Sequence, residues 1–343
     1  MIKLFRTIKK NHVEIILLIL TLFLSHKITF GVDRDSDFYY KKEDIYYEYE
    51  VAKQIQKGEN PYLRILKGDM LENDKYATQL PHYYNLLAFI RDNSNDNFSG
   101  FIESFRLILY VSQVIGGVFI YLIFRKQNKR LLGLCGAIFY IFNVWTLNSM
   151  IYLKQDVLAI ALLVASFYFL SSDKYRTISY VLYGLSLGIK YIGVFAFPIF
   201  IVVYLNKKLT LKKLIINFLL LFFVLITPVI PYLLEDFNSF ARSLLFSLTR
   251  SPSDSEIIYG YNDLLVRSPE SHTSTEIFDK LLPRIPLFIS LLMTVALLFL
   301  RKIKQGTYVF LSLLVFSIFN PVIFPQYITW VPPFALFPLL DGD

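Results

Sequence analysis

The chain has 343 residues, of which 55% are hydrophobic and 17% aromatic, and its formal net charge is +8. This composition argues against a soluble enzyme, because a soluble domain would not expose so much apolar surface to water. The Lys and Arg residues lie in short clusters between apolar segments, an arrangement that indicates membrane topology and excludes a nucleic-acid-binding stripe. Cys135 is the single cysteine, which excludes an intramolecular disulfide and a cysteine-based metal site.

Nine apolar segments approach the length that a membrane-spanning helix needs, ~17–25 residues. They cover 13–30, 106–124, 131–149, 156–171, 177–204, 211–232, 285–300, 306–320 and 326–340. The first segment follows a basic start, and no small-residue cleavage site follows it before the next charged stretch. We therefore predict a retained signal-anchor helix, with residues 1–12 in the cytoplasm.

The charges between these segments predict the orientation of the chain. Basic residues cluster at 125–130, 174–176, 207–213 and 301–304, which the positive-inside rule places in the cytoplasm. The long connections 33–105 and 235–284 instead carry an excess of five and three carboxylates and are predicted to face outward.

The segment 177–204 fits this scheme only if the chain reverses at Lys190, because a single helix would place two basic clusters on opposite sides. The split gives two short helices, 177–189 and 191–205. The resulting prediction is an all-α polytopic membrane protein with about ten spans, some short or re-entrant, in one domain over residues 1–343.

The first outer loop is predicted to contain an amphipathic helix. Tyr47, Val51 and Ile55 recur at four-residue spacing, and Gly58 followed by Asn60-Pro61 predicts where the helix ends.

Acidic residues precede this helix, and their type alone leaves their role open. Asp44 is either the N-cap of the helix or a general base. Asp35 and Asp37 form an Asp-x-Asp pair, which suits a solvated acidic turn, a base or a divalent-cation site.

The region from Asp44 onward also reproduces a sequence motif. Asp44, Tyr47, Ala52, Gly58, Asn60, Pro61 and Tyr62 give the order Asp-x-x-Tyr, Ala, Gly-x-Asn-Pro-Tyr. Three later segments accompany it: Leu80-Pro81-His82-Tyr83-Tyr84, Lys154-Gln155-Asp156 and Pro325-Gln326-Tyr327-Ile328-Thr329-Trp330-Val331-Pro332. Together they resemble the GT-C-fold glycosyltransferases that use polyprenyl-phosphate sugars, particularly family 87 and the related α-mannosyltransferases. The chain departs from that pattern at Pro81-His82, where a double proline is usual.

The resemblance implies a membrane enzyme with a GT-C-like fold and an extracytoplasmic active site. It would move a hexose, with mannose the favoured sugar, from a polyprenyl-phosphate donor to a lipid-linked or glycan acceptor. One carboxylate can serve as the general base, because the leaving group is already a phosphate. Asp44 holds the family position, followed by Asp37 and Asp35 as candidates. Membrane lipids are the other expected partners, no cofactor is expected, and a divalent cation at Asp35 and Asp37 is the less favoured alternative.

Lys190 is the candidate ligand of the donor phosphate. A lysine within an apolar segment costs ~2.5–3.5 kcal/mol at the bilayer centre and persists mainly beside an anion or at an interface. The alternative is a helix-end lysine whose ammonium group reaches the lipid headgroups. Further candidate contacts to the substrate, for which helix-end polarity is the alternative, are Tyr47, His82, Gln155, Asp156, Gln326 and Tyr327.

Two other functional classes are compatible with a polytopic chain: a transporter or lipid flippase, and a non-catalytic membrane scaffold. Transporters commonly show repeated, Gly- or Pro-interrupted helices with charges near the membrane midplane. In this sequence the polar residues collect at the predicted outer ends of the spans, which favours the enzyme.

Overall fold

The computed structural model describes residues 12–31, 40, 43–63, 77–94, 97–206, 210–267 and 281–341. All regular secondary structure in these ranges is helical, as the sequence predicts. The α-helices are α1 (His12–Phe30), α2 (Asp44–Gln56), α3 (Pro81–Asp92), α4 (Phe98–Lys126), α5 (Arg130–Phe142), α6 (Val144–Ile151), α7 (Asp156–Leu170), α8 (Arg176–Ile189), α9 (Phe197–Asn206), α10 (Leu211–Ile226), α11 (Ile230–Glu235), α12 (Phe237–Thr249), α13 (Gly260–Arg267), α14 (Ile285–Phe299), α15 (Gln305–Phe319) and α16 (Pro325–Ile328). Short 3-10 helices cover Pro61–Leu63, Tyr191–Ala196, Pro252–Asp254, Leu282–Arg284, Pro332–Phe334 and Phe337–Leu340.

Helix α7 lies at the centre of the core. After Asp156 it is apolar around its whole circumference, and such a helix is stable when other helices cover it on all sides. Helices α4 and α8 both pack along α7, and α5 and α10 pack in turn against α4 and α8. The contact between α4 and α5 is close, since a Cβ added at Gly116 would lie 2.8 Å from the Tyr140 ring.

Two helices in the described residues are long and apolar enough to cross a membrane, namely Phe98–Lys126 and Leu282–Phe299. A third is obtained if α5 and α6, which meet at a bend of 44°, form one span. Shorter apolar helical stretches of 10–17 residues are Ile16–Phe30, Asp156–Leu170, Tyr191–Leu205 and Gln305–Phe319. On α14, Leu292 and Met293 are 70% and 61% exposed, as expected of a lipid-facing surface. These helices are compatible with a membrane protein, and the count of ten spans stays a prediction.

Besides 131–149, which bends between α5 and α6, two apolar segments that were predicted to form one helix each are interrupted. Residues 326–340 form α16 and two 3-10 turns, Pro332–Phe334 and Phe337–Leu340. Residues 211–232 divide into α10 and α11 at Pro228 and Pro231. Proline lacks the backbone donor and its ring clashes with the preceding turn, so the prediction of one continuous helix is wrong for both segments.

The predicted chain reversal at Lys190 is confirmed. Helix α8 ends at Ile189, and Lys190 is extended with φ −151° and ψ 119°. The chain then returns along α8, because the Tyr183 ring stacks on the Phe200 ring with centroids 4.1 Å apart. The Tyr180 hydroxyl also donates to the Phe200 carbonyl oxygen at 3.2 Å. Lys190 therefore lies at the closed end of a helical hairpin.

The predicted amphipathic helix is α2, and it ends close to the predicted stop. Gly58 adopts a φ of +76° just after the helix, a conformation that glycine adopts without strain. The buried residues of α2 are Ile45, Tyr49, Val51 and Ala52. The helix packs against α3, so its apolar face is covered by protein.

The Asn-Pro-Tyr part of the motif connects the two long loops. The side-chain amide of Asn60 donates to the Glu235 carboxylate at 3.0 Å. The Tyr62 ring is buried and lies 5.2 Å from the Tyr232 ring and 4.8 Å from the Phe240 ring, centroid to centroid. These contacts fix α2 relative to α11 and α12.

Candidate functional site

One cavity is lined by residues from distant parts of the chain. The first loop contributes α2 and the segment that leads into α3. The other lining residues come from the connection before α7, the hairpin end at Lys190, α12 with the residue after it, and α16. Every lining residue belongs to a predicted outer connection or to the predicted outer end of a span. Six of the residues singled out in the sequence line it: Asp44, Tyr47, Gln155, Lys190, Gln326 and Tyr327.

Asp44 forms an ion pair across the cavity wall. Its Oδ2 accepts a hydrogen bond from the Lys154 ammonium at 2.6 Å. Asp44 is the first residue of α2, and the N-cap position belongs to Glu43. The interpretation of Asp44 as the N-cap is therefore wrong, and its carboxylate instead links the first loop to the connection that precedes α7.

Glu48 lies one helical turn after Asp44 and also lines the cavity. Its Oε2 accepts a hydrogen bond of 2.5 Å from the hydroxyl of Tyr83, which is fully buried on α3. Desolvation raises the pKa of the Glu48 carboxyl, while the Tyr83 hydrogen bond and the charges of Lys154 and Lys190 act in the opposite direction. The two carboxylates on this face of α2 thus have different environments, one paired with an ammonium and the other with a phenol.

Asp156 connects two elements below the cavity. It is completely buried at the start of α7, and its Oδ1 accepts a hydrogen bond from the Trp330 indole at 2.6 Å. Its Oδ2 lies 3.6 Å from the Lys190 ammonium and has no hydrogen-bond partner among the described residues. Asp156 does not line the cavity and lies beside Lys190, which it positions, while its predicted contact with substrate stays a prediction.

Lys190 is held between this carboxylate and an aromatic ring. Its side chain is 7% exposed, and its ammonium lies 5.9 Å from the centroid of the Tyr327 ring. A lysine so withdrawn from solvent does not match the alternative in which the ammonium reaches the lipid headgroups. Its remaining donors suit an anion that enters the cavity.

Arg250 supplies a third cation to the cavity, after Lys154 and Lys190. Its guanidinium lies 4.8 Å from the ring centroid of Phe324 and 5.5 Å from that of Phe246. The main-chain carbonyl of Arg250 accepts from the buried Arg284 at 3.1 Å. These contacts hold the residue where α12 meets the segment before α16.

His82 is not among the residues that line the cavity, and its predicted contact with substrate stays a prediction. Its Nε2 lies 2.7 Å from the Val224 carbonyl oxygen of α10. The ring packs over Gly188, where an added Cβ would lie 2.4 Å from it. The side chain that replaces the usual second proline therefore joins α3 to α8 and α10.

Asp35 and Asp37 lie outside the described residues, so their predicted roles stay predictions. Among the residues that the structure does describe, no three His, Cys, Asp or Glu side chains converge as metal ligands would.

The structure adds cavity residues that the sequence interpretation did not select, notably Glu48, Lys154 and Arg250. Two of them carried a usable signal. Glu48 follows Asp44 by four residues and so shares its helix face, and Lys154 is the one charged residue before Asp156 in a short predicted outer connection. Nothing in the sequence pattern marked Arg250, which lies in a 50-residue loop.

Comparisons with known proteins add no family: no protein-family model matches the chain, and no curated protein matches it significantly. The geometry of the cavity and the motif resemblance are therefore the basis for a functional proposal.

Proposed function

We propose that the protein is an integral membrane glycosyltransferase. It would transfer a hexose, with mannose favoured, from a polyprenyl-phosphate donor to a lipid-linked or glycan acceptor on the outer side of the membrane. The observation that carries the proposal is the convergence of Asp44, Lys190 and the Gln326-Tyr327 pair on one cavity. These residues are more than 100 positions apart in sequence, and each belongs to a segment that bears the resemblance or the predicted phosphate site.

The chemistry follows from the charges of the cavity. The acceptor hydroxyl oxygen forms a bond to the anomeric carbon, and the bond from that carbon to the phosphate oxygen breaks. Asp44 takes the hydroxyl proton as general base, which typically contributes ~10²–10⁴-fold to the rate. The departing phosphate carries the negative charge, and the cations at Lys190 and Lys154 stabilise it without a proton donor.

The proposed orientation places this cavity at the outer membrane surface and the N-terminus in the cytoplasm. A second cavity, lined among others by Gln127, Ser171, Gln305 and Asp341, supports the assignment. Apart from Ile199, in the middle of the predicted span 191–205, its lining residues belong to predicted inner connections or to the inner halves of predicted spans, which agrees with the proposed orientation.

The test is a transfer assay with the purified protein in detergent and a panel of polyprenyl-phosphate sugars that includes mannose, glucose and galactose. We expect transfer from one donor and a lipid phosphate as the second product. A protein that binds these donors and releases no lipid phosphate from any of them, with lipid-linked and free glycan acceptors present, contradicts the proposal and favours a transporter or flippase.

The proposed orientation can be tested separately by labelling single cysteines in a Cys135→Ser background. A single cysteine at residue 85 should react with a membrane-impermeant maleimide from the outer side, and one at residue 127 from the cytoplasmic side. The reversed pattern contradicts the orientation without affecting the chemistry.

A further inference from the structure

The Glu48 carboxylate has one oxygen that the protein leaves for a ligand. Oε2 is engaged by the Tyr83 hydroxyl at 2.5 Å. Among the described residues no donor is bonded to Oε1, and Glu48 is partly exposed and lines the cavity. An ionised carboxylate accepts hydrogen bonds at both oxygens, and a carboxylate withdrawn from bulk water is costly when its oxygens are unpaired.

The surroundings of Glu48 restrict the kind of group that can pair with it. The ionisable groups that act on it from other elements are Tyr83, Lys154, Lys190 and Asp156, and Asp44 precedes it by one turn on α2. A phosphate is repelled by the carboxylate and is attracted to the lysines and to Arg250. A neutral donor such as a sugar hydroxyl is not repelled by the carboxylate, and its O–H can donate the hydrogen bond that Oε1 lacks.

We propose that Glu48 is the residue that recognises a hydroxyl group of the transferred hexose, through its Oε1, and so determines which sugar is accepted. Tyr83 is then a positioning residue, since its hydroxyl fixes the carboxylate rotamer from outside the cavity. This inference rests on the proposed function, and it assigns to the cavity a carboxylate side for the sugar and a cationic side for the phosphate.

The experiment measures binding as well as transfer. A short-chain polyprenyl-phosphate mannose and its 2-, 3-, 4- and 6-deoxy analogues are compared on the wild type and on Glu48→Gln, with affinity taken from the thermal shift. We expect the wild type to bind one deoxy analogue about 10- to 100-fold more weakly than the parent, the range that a lost hydrogen bond to a charged group implies. In Glu48→Gln that discrimination should fall to within about threefold, while discrimination at the other positions stays unchanged.

Two further variants separate recognition from a loss of folding. Glu50→Gln is the matched control, because Glu50 lies on the same helix and its carboxylate is 3.7 Å from the Lys53 ammonium; it should discriminate like the wild type. Glu48→Asp retracts the carboxylate from the cavity and should weaken binding of the parent donor while its unliganded melting temperature stays near that of Glu48→Gln.

The outcomes are distinguishable from a failure of the proposed function. If the wild type transfers mannose and Glu48→Gln rejects the same deoxy analogue as strongly as the wild type does, Glu48 does not recognise the hydroxyl and the inference is wrong while the enzyme class stands. If the wild type binds the analogues differently but transfers no sugar, the proposed enzyme is wrong, and the Glu48→Gln comparison still decides the recognition of the hydroxyl by binding alone.

Discussion

The cavity lysines at the predicted outer end of the molecule are held differently from two lysines at the predicted inner end. At the inner end, the Lys126 ammonium bonds the Tyr168 carbonyl and the Ser171 hydroxyl, Lys129 bonds the Leu339 carbonyl, and these contacts are exposed. Among the described residues that line the inner cavity, the carboxylate is that of Asp341, which accepts from the backbone N–H groups of Gly306 and Thr307. Such contacts cap helix ends and mark topology.

At the outer end the two cavity lysines, Lys154 and Lys190, are withdrawn from solvent and each faces a carboxylate. The side chains of Lys154 and Lys190 are 12% and 7% exposed, and each has a carboxylate within 4 Å. Charges kept out of water cost free energy unless they are paired or used. Under the proposed function, the two cavity lysines serve a ligand while Lys126 and Lys129 serve folding and insertion, and substitutions matched between the ends test that distinction.

The largest effect is expected for Asp44→Asn, which removes the proposed proton acceptor and keeps nearly the same volume. Transfer should fall by about 10²–10⁴-fold while donor binding and the melting temperature change little. Asp37→Asn is the control for the choice of base. An inactive Asp37 variant beside an active Asp44 variant would reassign the base, and full activity in both and in the double variant would remove a first-loop carboxylate from the mechanism.

The next largest effect is expected for Lys190→Ala, with a lysine from the inner end as its control. Lys190→Ala should weaken binding of the polyprenyl-phosphate donor by about 10- to 100-fold, the range of a hydrogen bond between charged groups. Lys190→Arg should restore part of the affinity. Lys126→Ala at the inner end should leave donor affinity unchanged in the same titration. Equal losses in the two alanine variants would show that the lysines contribute only general positive charge.

A smaller effect is expected from Trp330→Phe, which removes the indole donor to Asp156 and keeps an aromatic ring. A buried carboxylate oxygen is then unpaired, so the free energy of unfolding in detergent should fall by about 1–3 kcal/mol. Trp145→Phe is the control, because the described hydrogen bonds of Trp145 are made by its main chain. A melting temperature for Trp330→Phe no lower than that of the control would contradict the role assigned to Asp156.

The smallest effect is expected for Tyr83→Phe, with Tyr121→Phe as its control. Each substitution removes a Tyr–Glu hydrogen bond, from Tyr83 to Glu48 at 2.5 Å and from Tyr121 to Glu14 at 2.6 Å. The Tyr83 bond lowers the pKa of Glu48 against the larger effect of desolvation, so Tyr83→Phe should raise that pKa. If ionised Glu48 binds the sugar, donor binding is present above this pKa and is lost as the pH falls through it. The acid limb of the binding profile should therefore move to higher pH in Tyr83→Phe and should not move in Tyr121→Phe.

The sequence by itself determined the helical character of the chain, the break at Lys190, and the end of α2. These features depend on local properties: apolar segments long enough to form helices, a charged residue inside one of them, and glycine and proline as helix stops. The same local rules predicted that the polar residues of five segments lie at one end, and six of the selected residues line one cavity there.

Only the tertiary structure decided how the charges pair. Asp44 and Lys154 are 110 residues apart, and Trp330 and Asp156 are 174 residues apart, and nothing local links either pair. The packing of α7 between α4 and α8 buries Asp156, and this carboxylate lies 3.6 Å from the Lys190 ammonium. The packing of α3 on α2 brings the Tyr83 hydroxyl to Glu48 and makes this glutamate a candidate recognition group. Contacts between distant segments are set by the three-dimensional packing of helices and not by the spacing of residues along the chain.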